Sequence, residues 1–290
     1  CFCLYCLNLP LVILKGNSLK TLNYFIFGQI VFYGLMFNGL AIADEIINLI
    51  FLLFNTYRLA INKFEFLLNH IKDLKKNKDD LKILEIGCGP GGILSFFKEK
   101  GFNVTGIDYD ENHLNFGRSK KLNLINKIDK NFDKKFDLII ISHVLEHMKN
   151  PKYEIERIKK KFVKQKTLIY VEIPSIHSIT SMYDSDILKY LHIAHCYHFS
   201  LNSFKNFCNL NGLKILKINS KIQSVLTFDE SSSEIILNFN QCKNEILRIE
   251  NTFRTFGNLL VLKRVIRRFI GRILNFLGIK AFVLNLFKKS

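Results

Sequence analysis

The last forty residues of this 290-residue chain contain no aspartate or glutamate, yet they hold nine lysines and arginines. These are Arg254, Lys263, Arg264, Arg267, Arg268, Arg272, Lys280, Lys288 and Lys289, and they supply more than half of the net charge of +17. An acid-free basic end meets phosphates, acidic lipids or nucleic acid, or is a solvated face. No nucleic-acid recognition motif accompanies it. The seven cysteines are odd in number and scattered in spacing, which excludes a disulfide framework and fits a reducing cytoplasm. No basic n-region or small-residue cleavage site marks a signal peptide. The chain begins with Cys1 rather than Met, as a fragment would. No long apolar run is free of interruption. Thr21–Ala43 carries no charge, but Asn23, Gln29, Asn38 and three glycines break it, so a membrane span is a weak reading. Cys3-Leu-Tyr-Cys6 has the spacing of two zinc thiolates, but no second such pair follows, and core packing is the favoured reading. No internal repeat is visible.

Apolar residues make up 48% of the chain, enough for a large core. Between residues 56 and 220 helix-like and strand-like segments alternate. Helical spacing covers 56–74, 93–100, 111–120, 153–163 and 201–210, the last with Ser200 as N-cap. Short apolar runs at 82–87, 102–107, 136–142, 167–173 and 213–218 read as strands, with a weaker one inside 122–128. This alternation implies a parallel sheet with right-handed crossovers.

The strongest signal is Glu85-Ile-Gly87-Cys88-Gly89-Pro90-Gly91-Gly92, which ends one strand and opens a helix. The backbone has to turn sharply there, with no Cβ in the way, so that a ligand can lie against the main chain and the helix N-terminus. Asp108 ends the next strand, twenty-one residues after Gly87, where a carboxylate can accept hydrogen bonds from both hydroxyls of an adenosine ribose. The glycines also match the dinucleotide pattern. However, Glu85 is placed to neutralise the ammonium of a zwitterionic sulfonium ligand, and no hydride-transfer dyad is evident.

These residues resemble motif I and the ribose acid of class I S-adenosylmethionine-dependent methyltransferases. Phe136-Asp-Leu-Ile-Ile-Ile-Ser-His-Val-Leu-Glu-His147 resembles their fourth strand and following loop, in the form shared by ubiquinone-type O-methyltransferases and by sugar and polysaccharide-associated methyltransferases. Glu172-Ile-Pro174-Ser175, His198-Phe199-Ser200 and Gly212-Leu213 fit the same group, so the resemblance spans about 80–220. It implies a Rossmann-like α/β sheet with helices on both faces, extended by an apolar N-terminal part and a basic C-terminal helical tail. The expected division is 1–55 (extension, with a degenerate zinc ribbon or membrane-associated segment as readings), 56–263 (methyltransferase domain) and 264–290 (tail). The cofactor implied is S-adenosylmethionine, held by Glu85, Gly87, Cys88, Gly89, Gly91, Asp108, Tyr109, Ser142 and His143. Two departures stand out. Ile30 and Tyr33 occupy the place of a second zinc pair, and Lys164-Gln-Lys166 replaces the glycine pair before the fifth strand.

Methyl transfer needs an acceptor held in line and, where required, a base for its proton. His147 and Glu146 are the first choices on the acceptor side, and His198 or His195 approaches from the segment before the last helix. His192, His195 and His198 recur every three residues, but without acids of matching spacing no metal is expected. No Asp-Pro-Pro-Tyr-like stretch follows residue 142, against the nucleobase amino-methylating subgroup. Residues 258–263 read as a last antiparallel strand, or 259–276 as one amphipathic helix that sets Arg264, Arg267, Arg268 and Arg272 on one face for an anionic membrane. The expectation is a cytoplasmic enzyme, peripheral to a membrane, acting on a small-molecule or glycan-type acceptor and not on specific nucleic acid. The alternatives are an NAD-linked oxidoreductase and an inactive membrane-associated Rossmann scaffold.

Overall fold

The computed structural model describes residues 41–74, 77–127, 132, 134–191, 193–229, 235–236 and 239–276. The CxxC pair, most of the 21–43 run, His192 and the tail beyond 276 lie outside them. The chain divides into two compact units, Cys1–Leu52 and Leu53–Ser290. No described helix is long and apolar enough to cross a membrane.

Helix α1 (Ala41–Asp73) precedes β1 (Lys82–Ile86), α2 (Gly92–Glu99), β2 (Asn103–Ile107), α3 (Glu111–Ser119) and β3 (Leu124–Ile125). Then follow β4 (Leu138–Ser142), α4 (Pro151–Phe162), β5 (Leu168–Glu172), two short helices α5 (Ile179–Met182) and α6 (Ile187–Tyr190), and α7 (Leu201–Leu210). A hairpin of β6 (Leu213–Ile218) and β7 (Gln223–Phe228) leads to the long helix α8 (Phe239–Phe276). The strands form one sheet in the order β3-β2-β1-β4-β5-β7-β6. The first five are parallel, and β7 runs antiparallel to both β5 and β6. The expected antiparallel strand therefore exists, but at 223–228. Residues 258–263 lie inside α8.

The central strands are apolar because helices cover both their faces. In β4, Leu138 and Ile140 join a core with Leu67 of α1 and Phe96 and Phe97 of α2. Ile139 and Ile141 join the opposite core with Ile155 and Ile158 of α4 and Phe204 of α7. α2 approaches α1 so closely that a Cβ on Gly92 would meet the Leu53 carbonyl oxygen at 2.5 Å. α7 opens on a reciprocal cap: Ser200 Oγ accepts from the Ser203 N–H, and Ser203 Oγ accepts from the Ser200 N–H. At the turn before β5, Lys166 takes φ +71°, the left-handed geometry that the missing glycine would have supplied freely.

The strand order reverses between β1 and β4. In an open α/β sheet the crevice beyond the strand C-termini at that point is where ligands bind.

Candidate functional site

The turn after β1 is held open by its own main chain. The N–H groups of Gly87 and Cys88 both donate to the Ile107 carbonyl, at 2.8 and 3.1 Å. Gly87, Gly89 and Gly91 all have positive φ. A Cβ at Gly89 would meet nothing within 4 Å, so the bare backbone faces open space there. Asp108 braces the turn: one carboxylate oxygen accepts from the Gly89 N–H at 2.7 Å, the other from the N–H groups of Tyr109 and Asp110 at 2.7 and 3.0 Å. A carboxylate oxygen has two lone pairs, so the oxygen facing Gly89 keeps capacity for a ligand. Gly87, Asp108 and Tyr109 line a cavity of about 890 Å³, with Ile107, Asn126, Val144 and His147 also on its wall. The buried Cys88 thiol lies beside Gly106 and donates back to the Gly89 carbonyl at 3.5 Å, within the turn itself.

Glu85 is buried at 3% exposure, and one of its carboxyl oxygens has no hydrogen-bond partner. Burial pushes its carboxyl well above the usual value, against the pull of the Lys63 ammonium, and the charge of Asp108 adds to the rise. Such a group is satisfied by a cationic donor.

A second cluster stands at the ends of β4 and β5. The buried Lys63 of α1 pairs with Glu172. Glu172 also accepts from Tyr170 Oη at 2.9 Å, Gln223 Nε2 at 3.1 Å and Ser142 Oγ at 3.5 Å. Burial pushes the Glu172 carboxyl up, but the Lys63 charge and hydrogen bond, the charge of His143 and the bond from Tyr170 outweigh it and leave the group below its ordinary value. His143 donates its N–H to the Glu172 carbonyl at 2.8 Å and sits at φ +55°. Positive φ is uncommon outside glycine and is a form of strain found at functional sites.

The third cluster contains the expected catalytic residues. Glu146 is 1% exposed, and neither carboxyl oxygen has a hydrogen-bond partner. His143 Nδ1 lies 3.5 Å and His147 Nε2 3.9 Å from its Oε1. The Glu146 carbonyl accepts from the N–H groups of Cys196 and Tyr197, which draws the segment before α7 over this loop. That clamp sets the His195 ring 4.8 Å from the ring of His147 and 5.7 Å from that of His198. His147 Nδ1 lies 2.8 Å from the Ala194 carbonyl, which fixes the ring. Burial lowers the His198 pKa and favours its neutral, proton-accepting form. Ligand atoms of Glu146, His147 and His195 lie within 4.8 Å of one another, so the three side chains form one cluster of metal-ligating type. The histidine repeat lacked an acid in sequence; the acid arrives from the loop after β4.

Of the expected cofactor residues, then, Gly87, Asp108 and Tyr109 share the cavity wall with His147, while Ser142 and His143 stand by Glu172. Lys63, Tyr170 and Gln223 were not singled out in the sequence. Glu172 was quoted only as part of a motif. Nothing in the pattern of α1 marks Lys63 except a lysine at a position whose neighbours four residues on either side, Leu59 and Leu67, are apolar.

A glycine turn between strand and helix, an acid at the end of the next strand and a crevice at the sheet's switch point define a Rossmann-like nucleoside-binding domain. The profile of the methyltransferase-domain family matches residues 56–218, and the chain belongs to that family. It is 28% identical over 102 residues to a ubiquinone biosynthesis O-methyltransferase of Rickettsia bellii, covering 32% of this chain and 42% of that protein. Over 107 residues it is 31% identical to an (S)-tetrahydroprotoberberine N-methyltransferase of Eschscholzia californica, covering 33% and 30%. The chain thus spans less than half the length of these curated relatives. A solved structure of the plantazolicin methyltransferase BpumL with a monoazolic desmethylPZN analog and SAH is similar at 20% identity and a TM-score of 0.48, over 69% of this chain and 79% of that one.

Proposed function

We propose that this protein transfers a methyl group from S-adenosylmethionine to a small-molecule or glycan-type acceptor. The observation that carries the proposal is the open glycine turn braced by Asp108 beside a buried Glu85 with one unsatisfied carboxyl oxygen. The donor supplies an electrophilic methyl group on a sulfonium. Asp108 and Tyr109 would receive its ribose, the main chain of Gly87, Cys88, Gly89 and Gly91 would lie along it, and Glu85 would take its ammonium. Lys63 and Glu172 hold Ser142 and His143 in place beside it. Glu146 and His147 act on the acceptor: the carboxylate is buried without donors, so an acceptor O–H or N–H is its natural partner, and the adjacent imidazole takes the proton.

The oxidoreductase alternative fits less well. A dinucleotide would bring a pyrophosphate to the start of α2, next to Asp108 and Glu85. The inactive-scaffold alternative leaves the unsatisfied Glu146 without a purpose. The same reading places the enzyme in the cytoplasm and peripheral to an anionic membrane through tail 264–290. Deleting that tail should abolish pelleting with anionic liposomes, and unchanged pelleting would count against it.

The test of methyl transfer is incorporation of label from the methyl-labelled donor into a metabolite extract. Transfer is expected with the wild type, and Glu146→Gln and His147→Asn should lower its rate by about 10²–10⁴-fold, the usual range for general acid–base residues, with cofactor affinity unchanged. Equal transfer by these variants would remove both residues from the chemistry; no transfer by the wild type to any fraction would leave the scaffold reading.

A further inference from the structure

Helix α8 has no task in methyl transfer, and its two halves have different surroundings. In the first half Ile249 is buried and Ile246 half-buried, packed with Ile176, Ile179, Tyr183, Ile187 and Tyr190 of the segment that follows β5. Tyr190 in turn sets its ring 4.9 Å from His198, and the ring sequence continues through His195 to His147. Through these rings the packing reaches the loop that carries Glu146 and His147.

The second half is different. Leu259, Leu262, Val265, Ile266, Phe269 and Ile270 are all exposed. Their spacing of three and four places them on one face of the helix. Lys263, Arg264, Arg267, Arg268 and Arg272 are interleaved with them, and no acid occurs after Glu250. The segment that α8 packs against is itself apolar at its surface: Leu188 is 82% and Ile193 fully exposed. A contiguous apolar face rimmed by one sign of charge is costly in water and marks a binding surface. Nucleic acid would meet the arginines but leave the apolar face wet. An anionic bilayer satisfies both, with the apolar face at the acyl boundary and the basic groups among the phosphates.

We propose that α8 couples an anionic bilayer to the acceptor side of the site. Lipid holds the second half, and the first half, through Ile246 and Ile249, fixes Tyr190 and with it His198, His195 and His147. Because α8 is one continuous helix of 38 residues, holding one half restrains the other. The role of those histidines rests on the methyl-transfer reading; the contact itself does not.

The test uses the full chain with vesicles of phosphatidylcholine alone or with phosphatidylserine. Pelleting, amide hydrogen exchange over 179–191 and a calorimetric titration with S-adenosylhomocysteine are measured on the same samples. Anionic vesicles should pellet the protein and slow exchange over 179–191; neutral vesicles should do neither. Leu262→Glu with Ile266→Glu, both at exposed positions, should lose pelleting and protection together. Ile246→Ala with Ile249→Ala should keep pelleting and lose protection; should that variant fail to fold, the Leu262/Ile266 comparison decides. Pelleting with unchanged exchange over 179–191 overturns the coupling. Absence of pelleting, or binding to duplex DNA in its place, overturns the bilayer as partner. The titration reports separately whether the methyl-transfer reading stands.

Discussion

Asp108 does two things with one carboxylate: it pins the Gly89 main chain and lines the cavity. Asp108→Ala should weaken S-adenosylhomocysteine binding by about 1–3 kcal/mol, the cost of unpaired hydrogen-bonding groups, as read by calorimetry; unchanged affinity would take Asp108 out of the site. Glu85 makes a sharper prediction. Burial favours its protonated form and a ligand ammonium favours the ionised form, so binding should be accompanied by proton release. Titrations in buffers of different ionisation enthalpy should show that release in the wild type and its loss in Glu85→Gln. The sign for stability follows from the same shift. A carboxyl raised in the folded state stabilises fully below its unfolded value of 4.5, and that contribution is lost as pH rises through the folded value. The urea midpoint of the ligand-free wild type should therefore fall more with rising pH than that of Glu85→Gln. Lys63 and Glu172 are coupled more directly. Lys63→Met strands a buried carboxylate and should cost about 3 kcal/mol in urea unfolding, most of it regained when Glu172→Gln is added. Additive losses in the double variant would show that the pair does not interact.

At the scale of elements, the crossing of α1 and α2 depends on Gly92, because the group a Cβ would strike includes a main-chain carbonyl that cannot swing away. Gly92→Ala should destabilise the fold by about 1–3 kcal/mol, as overpacking does; a thermal midpoint equal to the wild type would mean that the helices part without cost. Strands β1, β2, β4 and β5 were readable because burial on both faces makes each a short apolar run. β3 was faint because it is two residues long. β7 escaped notice for another reason: only Ser224, Val225 and Leu226 are fully buried, so Gln223–Phe228 shows neither a long apolar run nor clean alternation. Its hairpin is set locally, with Asn219 Oδ1 accepting from the N–H groups of Lys221 and Gln223. The glycine turn after β1 was legible because a bare main-chain turn with positive φ demands glycine wherever it occurs. The Lys63–Glu172 pair was not, since 109 residues separate its members and only the packing of α1 on the sheet brings them together. The meeting of Glu146 with His195 likewise depends on a backbone clamp that no spacing encodes.

For the whole molecule, the sheet orders the functions along one edge. The glycine turn and Asp108 stand past β1 and β2, the paired Lys63 and Glu172 past β4 and β5, and the histidines close over the loop after β4. Asp108 and Glu154 share the cavity wall with Lys127, Lys149, Arg157 and Lys161, and the excess of basic residues is weighted to α8 and the chain beyond it. The proposed reading is that the glycine turn braced by Asp108, with the buried Glu85 two residues before it, takes a sulfonium zwitterion rather than a pyrophosphate. It is tested most directly by calorimetric titration of the purified chain with S-adenosylhomocysteine and, in parallel, with NADH. The account predicts micromolar binding of the first and no heat from the second; binding of NADH alone, or of neither, would contradict it.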